Sequence, residues 1–140
     1  MRILVDTCIW SLALRRRRTG TAEKKVIATL VELIGELRVD VIGPIRQEVL
    51  SGIRDRRQFD KVKARLRSFP DIELDSGDYE LAAEYSNRCR SKGVQGSSTD
   101  FLICAVANRR HLAIFTLDRD FARFHKILGI SLLEQYHRYS

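Results

Sequence analysis

Short apolar segments rich in β-branched residues alternate along this chain with longer stretches of helical periodicity, and that alternation limits the possible folds most strongly. The strand-like segments are Arg2 to Val5, Val39 to Ile42, Ile72 to Leu74, a part of His111 to Thr116, and Ile130 to Leu133. In the first segment and in the one within His111 to Thr116 the apolar residues are contiguous, which is typical of strands buried on both faces. We therefore expect an α/β fold in which a parallel sheet of about five strands is flanked by helices on both faces.

The segments between these strands have the apolar spacing of helices. The clearest amphipathic stretch is Ala22 to Leu37, and Gly43-Pro44 opens the next helix with proline in its first turn. Further helices are predicted over Arg54 to Arg67, Asp78 to Arg90, Ser97 to Ala107 and Asp120 to His125. Of these, Arg54 to Arg67 is densely charged and should be exposed, whereas Phe101 to Ala107 is apolar on nearly every side and should be buried.

Length and composition predict one globular domain over residues 1–140. The chain has 140 residues, 44% of them hydrophobic, which is enough for a single core. It has no apolar run as long as a membrane span and no signal-peptide pattern at Met1, so we expect a soluble, cytoplasmic protein. The three cysteines are odd in number and lack CxxC spacing, which favours neither a disulfide framework nor a zinc site.

A net charge of +7, from 25 basic and 18 acidic residues, favours a polyanionic partner such as nucleic acid. The most basic run is Arg15, Arg16, Arg17 and Arg18. It either holds phosphates or is a solvated surface.

Three aspartates occur where a parallel sheet places its ligands. Asp6 follows the first strand, Asp118 follows the strand near His111 to Thr116, and Asp100 begins the buried helix between them. Each alone is explained as a helix-capping residue. Together they would place several negative charges beside apolar segments, which is costly unless a cation compensates them. The oxygen-rich set suits Mg²⁺ or Mn²⁺.

Four segments of the chain resemble the successive acidic motifs of PIN-domain nucleases. They are ILVDTCIW, PIRQEVLSG, STDFLICAVANRR and IFTLDRDF, and the resemblance runs from Arg2 to Leu133. The small single-domain form is similar to the toxin component of VapBC-type toxin–antitoxin pairs.

The resemblance implies a role for each acid. Asp6 and Asp100 would be the principal metal ligands, and Asp118 would complete the site directly or through water. Glu48 would be a further ligand or a base that orients water. Because TLDRDF contains two aspartates, Asp120 is a second candidate for the fourth acid.

The resemblance also implies supporting residues. Thr7 and Thr116 match hydroxyl residues that brace the acids, and Ser98 either orients the third acid or caps its helix. Trp10 is either a core residue or a platform for base stacking. The three histidines have no mutual ligand spacing and should lie at the surface or at helix ends.

The activity implied is metal-assisted endoribonuclease cleavage by one or two ions. An antitoxin would cover the acidic pocket, with part of the Ala22 to Leu37 stripe as its groove, and the protein would form a homodimer or a toxin–antitoxin hetero-oligomer.

Two other classes compete with this interpretation. An aspartyl phosphotransferase usually needs a second aspartate where this chain has Cys8. A basic RNA- or protein-binding module would keep the acids as structural residues that neither cluster nor catalyse.

Overall fold

The computed structural model describes residues 1–14 and 20–133, and it contains four short strands and seven helices in those ranges. The strands are β1 (Ile3–Val5), β2 (Val39–Asp40), β3 (Ala113–Phe115) and β4 (Ser131–Leu132). The helices are α1 (Thr7–Leu14), α2 (Thr21–Gly35), α3 (Gly43–Leu50), α4 (Arg56–Leu66), α5 (Ser76–Ser91), α6 (Ser98–Arg110) and α7 (Asp120–Leu128).

The sheet is parallel throughout, with strand order β2-β1-β3-β4, so the predicted α/β architecture is confirmed. β1 lies in the interior and pairs with β2 on one side and with β3 on the other. Its three residues Ile3, Leu4 and Val5 are fully buried, as their contiguous apolar pattern predicted. The two strands that precede Asp6 and Asp118 in sequence are therefore neighbours, and their carboxyl ends lie side by side.

The predicted strand Ile72 to Leu74 is wrong, and the described residues form four strands rather than about five. Only Asp71 makes an isolated bridge, to Val41, and the Ile72 amide donates to the Val41 carbonyl at 2.8 Å. The Glu73 carbonyl accepts a hydrogen bond from the Arg110 side chain instead of from a strand. The segment leaves the sheet because its backbone is bonded to α6.

A buried ion pair joins α5 to α6. Asp78 is fully buried, and its two oxygens accept hydrogen bonds from the two terminal nitrogens of Arg110, at 2.6 and 2.9 Å. Arg109 lies 2.9 Å from the same carboxylate and also pairs with the exposed Asp75 at 2.7 Å. These arginines hold the pKa of Asp78 far below its ordinary value, chiefly through the Arg110 hydrogen bonds. The sequence predicted Asp78 only as part of a helix start.

The turn before α6 packs against aromatic side chains. Phe101 and Phe124 are buried with ring centroids 5.1 Å apart. A Cβ placed on Gly96 would lie 2.7 Å from the Phe124 ring and 3.1 Å from the Phe101 ring. Glycine is thus required at this position by the close approach of the two rings.

None of the helices in the described ranges is both long enough and apolar enough to cross a membrane.

Candidate active site

Four carboxylates from four elements lie around the carboxyl ends of β1 and β3. Asp6 directly follows β1, Asp118 follows β3 by three residues, Glu48 is in the last turns of α3, and Asp100 is in the first turn of α6. This edge is where open parallel sheets bind ligands.

Thr116 links Asp6 to the backbone of Asp118 through two hydrogen bonds. Its hydroxyl donates to Asp6 Oδ2 at 2.7 Å and accepts from the Asp118 amide at 3.0 Å. The other oxygen of Asp6 accepts from the Thr7 amide at 2.7 Å. Asp6 is only 6% exposed, so both of its oxygens are oriented by the protein rather than by solvent. The bracing implied for Thr116 is present as hydrogen bonds.

Thr7 joins α1 to α3. Its hydroxyl donates to Glu48 Oε1 at 2.7 Å, across 41 positions in sequence. An isolated glutamate on a helix is ordinarily solvated, so the sequence alone does not place Glu48 beside Asp6. The hydrogen bond to the residue after Asp6 brings its carboxylate to the same edge of the sheet.

Asp100 is held by a capping box at the start of α6. Its Oδ2 accepts from the Ser97 amide at 3.1 Å, and the Ser97 hydroxyl accepts from the Asp100 amide at 3.1 Å. The capping residue is therefore Ser97, and the prediction that Ser98 caps this helix is wrong by one position. Two consecutive serines leave that choice open in sequence, because either can start a helix.

The four charges act on one another. Burial raises the pKa of Asp6 above its ordinary value, the hydrogen bonds from Thr116 and Thr7 oppose that rise, and the charge of Asp100 adds to it. The pKa of Asp100 is also raised, first by burial and then by the charges of Asp118 and Glu48. Like charges raise one another's pKa, but here burial contributes more than repulsion.

Asp118 and Asp120 are placed differently. Asp118 Oδ1 accepts from the Asp120 amide at 2.9 Å, so it caps the turn into α7 with one oxygen. After burial, the charge of Asp118 adds to the raised pKa of Asp100. Asp120 begins α7 itself. The geometry thus associates Asp118, rather than Asp120, with the other three acids.

The free oxygens of this group suit a hard cation. Each of Glu48, Asp100 and Asp118 has one carboxylate oxygen, respectively Oε2, Oδ1 and Oδ2, that accepts no hydrogen bond from another described residue. Within residues 1–14 and 20–133, no three His, Cys, Asp or Glu side chains already lie in a group that could hold a metal ion. Carboxylate oxygens are nevertheless the donor type that Mg²⁺ and Mn²⁺ prefer, together with water ligands.

Cys8 is a residue of this site that sequence reasoning missed. Its sulfur accepts from the Leu117 amide at 3.3 Å and lies 3.6 Å from Thr116 Oγ1 and 3.7 Å from Asp6 Oδ2. Burial raises the pKa of the Cys8 thiol, and the charge of Asp6 adds to that effect. Its place two positions after Asp6 was the only available signal. Cys89 and Cys104 are buried, as expected of small apolar side chains.

Other singled-out residues lie away from the acids. Trp10 is 1% exposed and packs on Phe69 with ring centroids 5.0 Å apart, so it is a core residue and does not offer a ring for base stacking. His111 caps the carboxyl end of α6 in a left-handed conformation, and His125 bonds the Ile130 carbonyl. The predicted phosphate-binding run Arg15 to Arg18 and the histidine at position 137 lie outside the described residues.

Comparison with known proteins identifies the fold family. The PIN-domain family model matches residues 3–127. Among solved structures, the chain is similar to FitAcB from Neisseria gonorrhoeae, with a TM-score of 0.75 and 20% identity over 96% of this chain and 99% of that one. It is also similar to VapBC2 from Rickettsia felis bound to a promoter DNA fragment, with a TM-score of 0.75 and 16% identity over 95% and 98% of the two chains.

A third similar structure is a toxin-antitoxin complex from Klebsiella pneumoniae, with a TM-score of 0.62 and 20% identity over 86% of this chain and 90% of that one. The search of curated proteins finds no match. The structural likenesses, at these identities, concern the fold, whereas the family model spans nearly the whole chain. The chain therefore belongs to the PIN-domain family, whose members are generally nucleases.

Proposed function

We propose that this PIN domain is a Mg²⁺- or Mn²⁺-dependent endoribonuclease and the toxin of a toxin–antitoxin pair. The observation that carries the proposal is the grouping of four carboxylates at the ligand-binding edge of the sheet: the charge of Asp100 acts on Asp6, the charges of Asp118 and Glu48 act on Asp100, and Thr7, next to Asp6, holds Glu48. A purely structural role would not require these charges to lie near one another, because like charges disfavour each other's ionised form.

Different acids have different tasks in this proposal. Asp6 is buried and each of its oxygens accepts a hydrogen bond, so it is a rigidly positioned cation ligand at the centre. Glu48 is held through Oε1 by Thr7 and has Oε2 free to accept a proton from an attacking water. Asp100 and Asp118 each present one free oxygen as a cation ligand. A bound divalent cation supplies charge that stabilises the phosphodiester transition state and lowers the pKa of a bound water.

The test is cleavage of total cellular RNA by the purified protein in Mg²⁺, Mn²⁺ or EDTA. We expect cleavage with either metal and none in EDTA, and Asp100→Asn should abolish it while preserving the capping box, since asparagine still accepts from the Ser97 amide. Asp118→Asn and Asp120→Asn form a matched pair on one segment. Loss in the first with retention in the second assigns the fourth acid to Asp118. Cleavage that persists in EDTA contradicts the proposed metal dependence.

A cognate antitoxin and self-association are part of the proposal. The complexes FitAcB, VapBC2 and the Klebsiella pair support a protein partner by their likeness in fold. Val31 on α2 is 61% exposed, and Leu37, two residues after the end of α2, is 80% exposed. Part of the predicted apolar stripe from Ala22 to Leu37 is therefore exposed. If an antitoxin helix packs on this exposed part of α2, Val31→Asp should weaken its binding. The variant should then cleave RNA even when the antitoxin is present. Light scattering of the free chain tests homodimer formation.

The basic run Arg15 to Arg18 remains a proposed phosphate contact. Replacing all four with glutamine should weaken RNA binding and flatten its dependence on salt. An unchanged salt slope would remove this run from the binding surface.

A further inference from the structure

The charged helix α4 carries most of the excess positive charge of the chain. Residues 54–67 contain seven basic and two acidic side chains, a net +5 of the chain's +7. Sequence explained this segment only as an exposed helix with a narrow apolar stripe, and the carboxylate centre makes no use of it.

Both acids of the segment are committed to local structure. Asp55 caps α4 by accepting from the Gln58 amide at 2.9 Å, and Asp60 pairs with Arg56 at 3.3 Å. The local ion pairs therefore leave most of the positive charge uncompensated.

Three of the remaining cations, Arg57, Lys61 and Arg65, form what we call the basic ridge. They are four residues apart, so they lie in one row along the helix, and all three are exposed. None of them pairs with an acid in residues 1–14 or 20–133. Like charges at this spacing destabilise an isolated helix, so the ridge does not serve the stability of α4.

The orientation of the ridge is fixed by packing. Val62 and Leu66, on a different face of α4 from the ridge, are buried in the core. At the start of the helix, the Gln58 side chain donates to the Leu14 carbonyl at 3.2 Å, at the end of α1.

The other end of α4 is tied to α1 and to α3. Arg46 of α3 donates to the carbonyls of Leu66 and Phe69, and Phe69 packs on Trp10 of α1. α4 thus contacts the carboxyl end of α1 through Gln58 and Leu14; α1 is an eight-residue helix about 12 Å long whose first residue, Thr7, follows Asp6. The ridge therefore lies on a helix that is tied to α1, which begins at Thr7 next to Asp6, and to α3, which carries Glu48.

We infer that the basic ridge binds consecutive phosphates of a single-stranded RNA whose cleaved bond lies at the carboxylate centre, an inference that rests on the proposed function. The four carboxylates repel a polyanion, so a substrate strand needs compensating positive charge beside them. A single row of cations follows one backbone, whereas a duplex presents two. Arginine and lysine at these three positions supply charge-assisted contacts without reading bases.

The experiment is fluorescence anisotropy of a labelled single-stranded poly(U) RNA, titrated in EDTA so that no cleavage occurs, at several salt concentrations. The variant is Arg57→Gln/Lys61→Gln/Arg65→Gln, since glutamine has a helix propensity close to that of the residues replaced. The control, Lys24→Gln/Arg123→Gln/Lys126→Gln, removes the same charge from exposed positions on α2 and α7. Circular dichroism melting verifies that both variants fold.

Loss of three phosphate contacts reduces the slope of log affinity against log salt by about 2. Between 50 and 200 mM salt, the wild type should therefore lose roughly 20-fold more affinity than the ridge variant. The control variant should keep the wild-type slope. Equal slopes in the ridge and control variants would overturn the inference.

A parallel titration with polyglutamate separates RNA from an acidic protein segment. A ridge variant with an unchanged RNA slope and lost polyglutamate binding would reject the RNA assignment. Because binding is measured without metal, absence of cleavage by the wild type would reject the proposed function alone and leave the slope comparison valid. Cleavage by the wild type with an unaltered slope in the ridge variant would reject the ridge alone.

Discussion

Replacing Asp78 with asparagine tests whether the buried ion pair between α5 and α6 stabilises the domain. Asparagine preserves the shape of the side chain and one acceptor oxygen, but it removes the charge that Arg110 contacts through both terminal nitrogens, at 2.6 and 2.9 Å. Arg110 would keep its hydrogen bonds to the backbone carbonyls of Glu73 and Val106 but would lose its ion pair with the Asp78 carboxylate. We expect a clear loss of stability from this one substitution.

The size of the effect follows from the burial of the pair. Breaking a fully buried ion pair by removing one partner costs about 3–5 kcal/mol. Asp78 is fully buried, but the Arg110 side chain is 26% exposed and can recover some hydration, so we expect about 2–3 kcal/mol. An unfolding entropy of about 2.1 cal/mol/K per residue, over 140 residues, converts this to a melting temperature roughly 7–10 °C lower.

Thermal melting and urea titration of wild type, Asp78→Asn and Asp75→Asn provide the measurement. Asp75 contacts the same Arg109 but has a 65% exposed side chain, and asparagine caps helices as well as aspartate does. Its variant should therefore melt close to the wild type. A fall of less than about 2 °C for Asp78→Asn, or equal losses in both variants, would refute the reasoning from burial.

Three further predictions concern pH and the carboxylate centre. The pKa of Asp78 is lowered in the folded state, so its ionised form stabilises the fold fully above the unfolded pKa near 3.9, and this contribution disappears as pH falls toward the depressed pKa. The stability of Asp78→Asn should therefore fall less steeply with decreasing pH than that of the wild type. Asp100 has a raised pKa, so its ionisation destabilises the metal-free fold as pH rises through that value; Asp100→Asn should raise the melting temperature in EDTA at pH 7 and not at pH 3. Thr116→Val should cut kcat sharply, because Asp6 loses a charge-assisted hydrogen bond worth about 1.5–3 kcal/mol, while Thr116→Ser should retain most activity in the same RNA assay.

The sequence predicted those parts of the fold that depend on local pattern. Ile3, Leu4 and Val5 form a buried strand because three contiguous apolar residues suit a strand covered on both faces. Phe101 to Ala107 is buried because an all-apolar helix has no face to expose to water. The order of strands and helices then placed three of the acids at one edge of the sheet.

What the sequence could not predict depends on contacts between distant positions. The Thr7 bond to Glu48 spans 41 positions, and the Asp78 bonds to Arg110 span 32. Nothing in either local segment selects the partner. The error at Ile72 to Leu74 has the same origin, because local propensity favours a strand and a side chain from α6 takes the backbone bond instead.

The central position of β1 has a consequence for the order in which the molecule assembles. β1 pairs with a strand that lies about 110 positions later, and Asp6 receives its bond from Thr116 across 110 positions. Contacts of such long sequence separation form late, after the cost of closing the intervening loop has been met. During synthesis, Asp6 emerges 110 residues before Thr116, so it lacks the Thr116 hydrogen bond until β3 and Thr116 have left the ribosome. A nascent chain of this protein therefore has no complete carboxylate centre until the segment from β3 to Asp118 has been made.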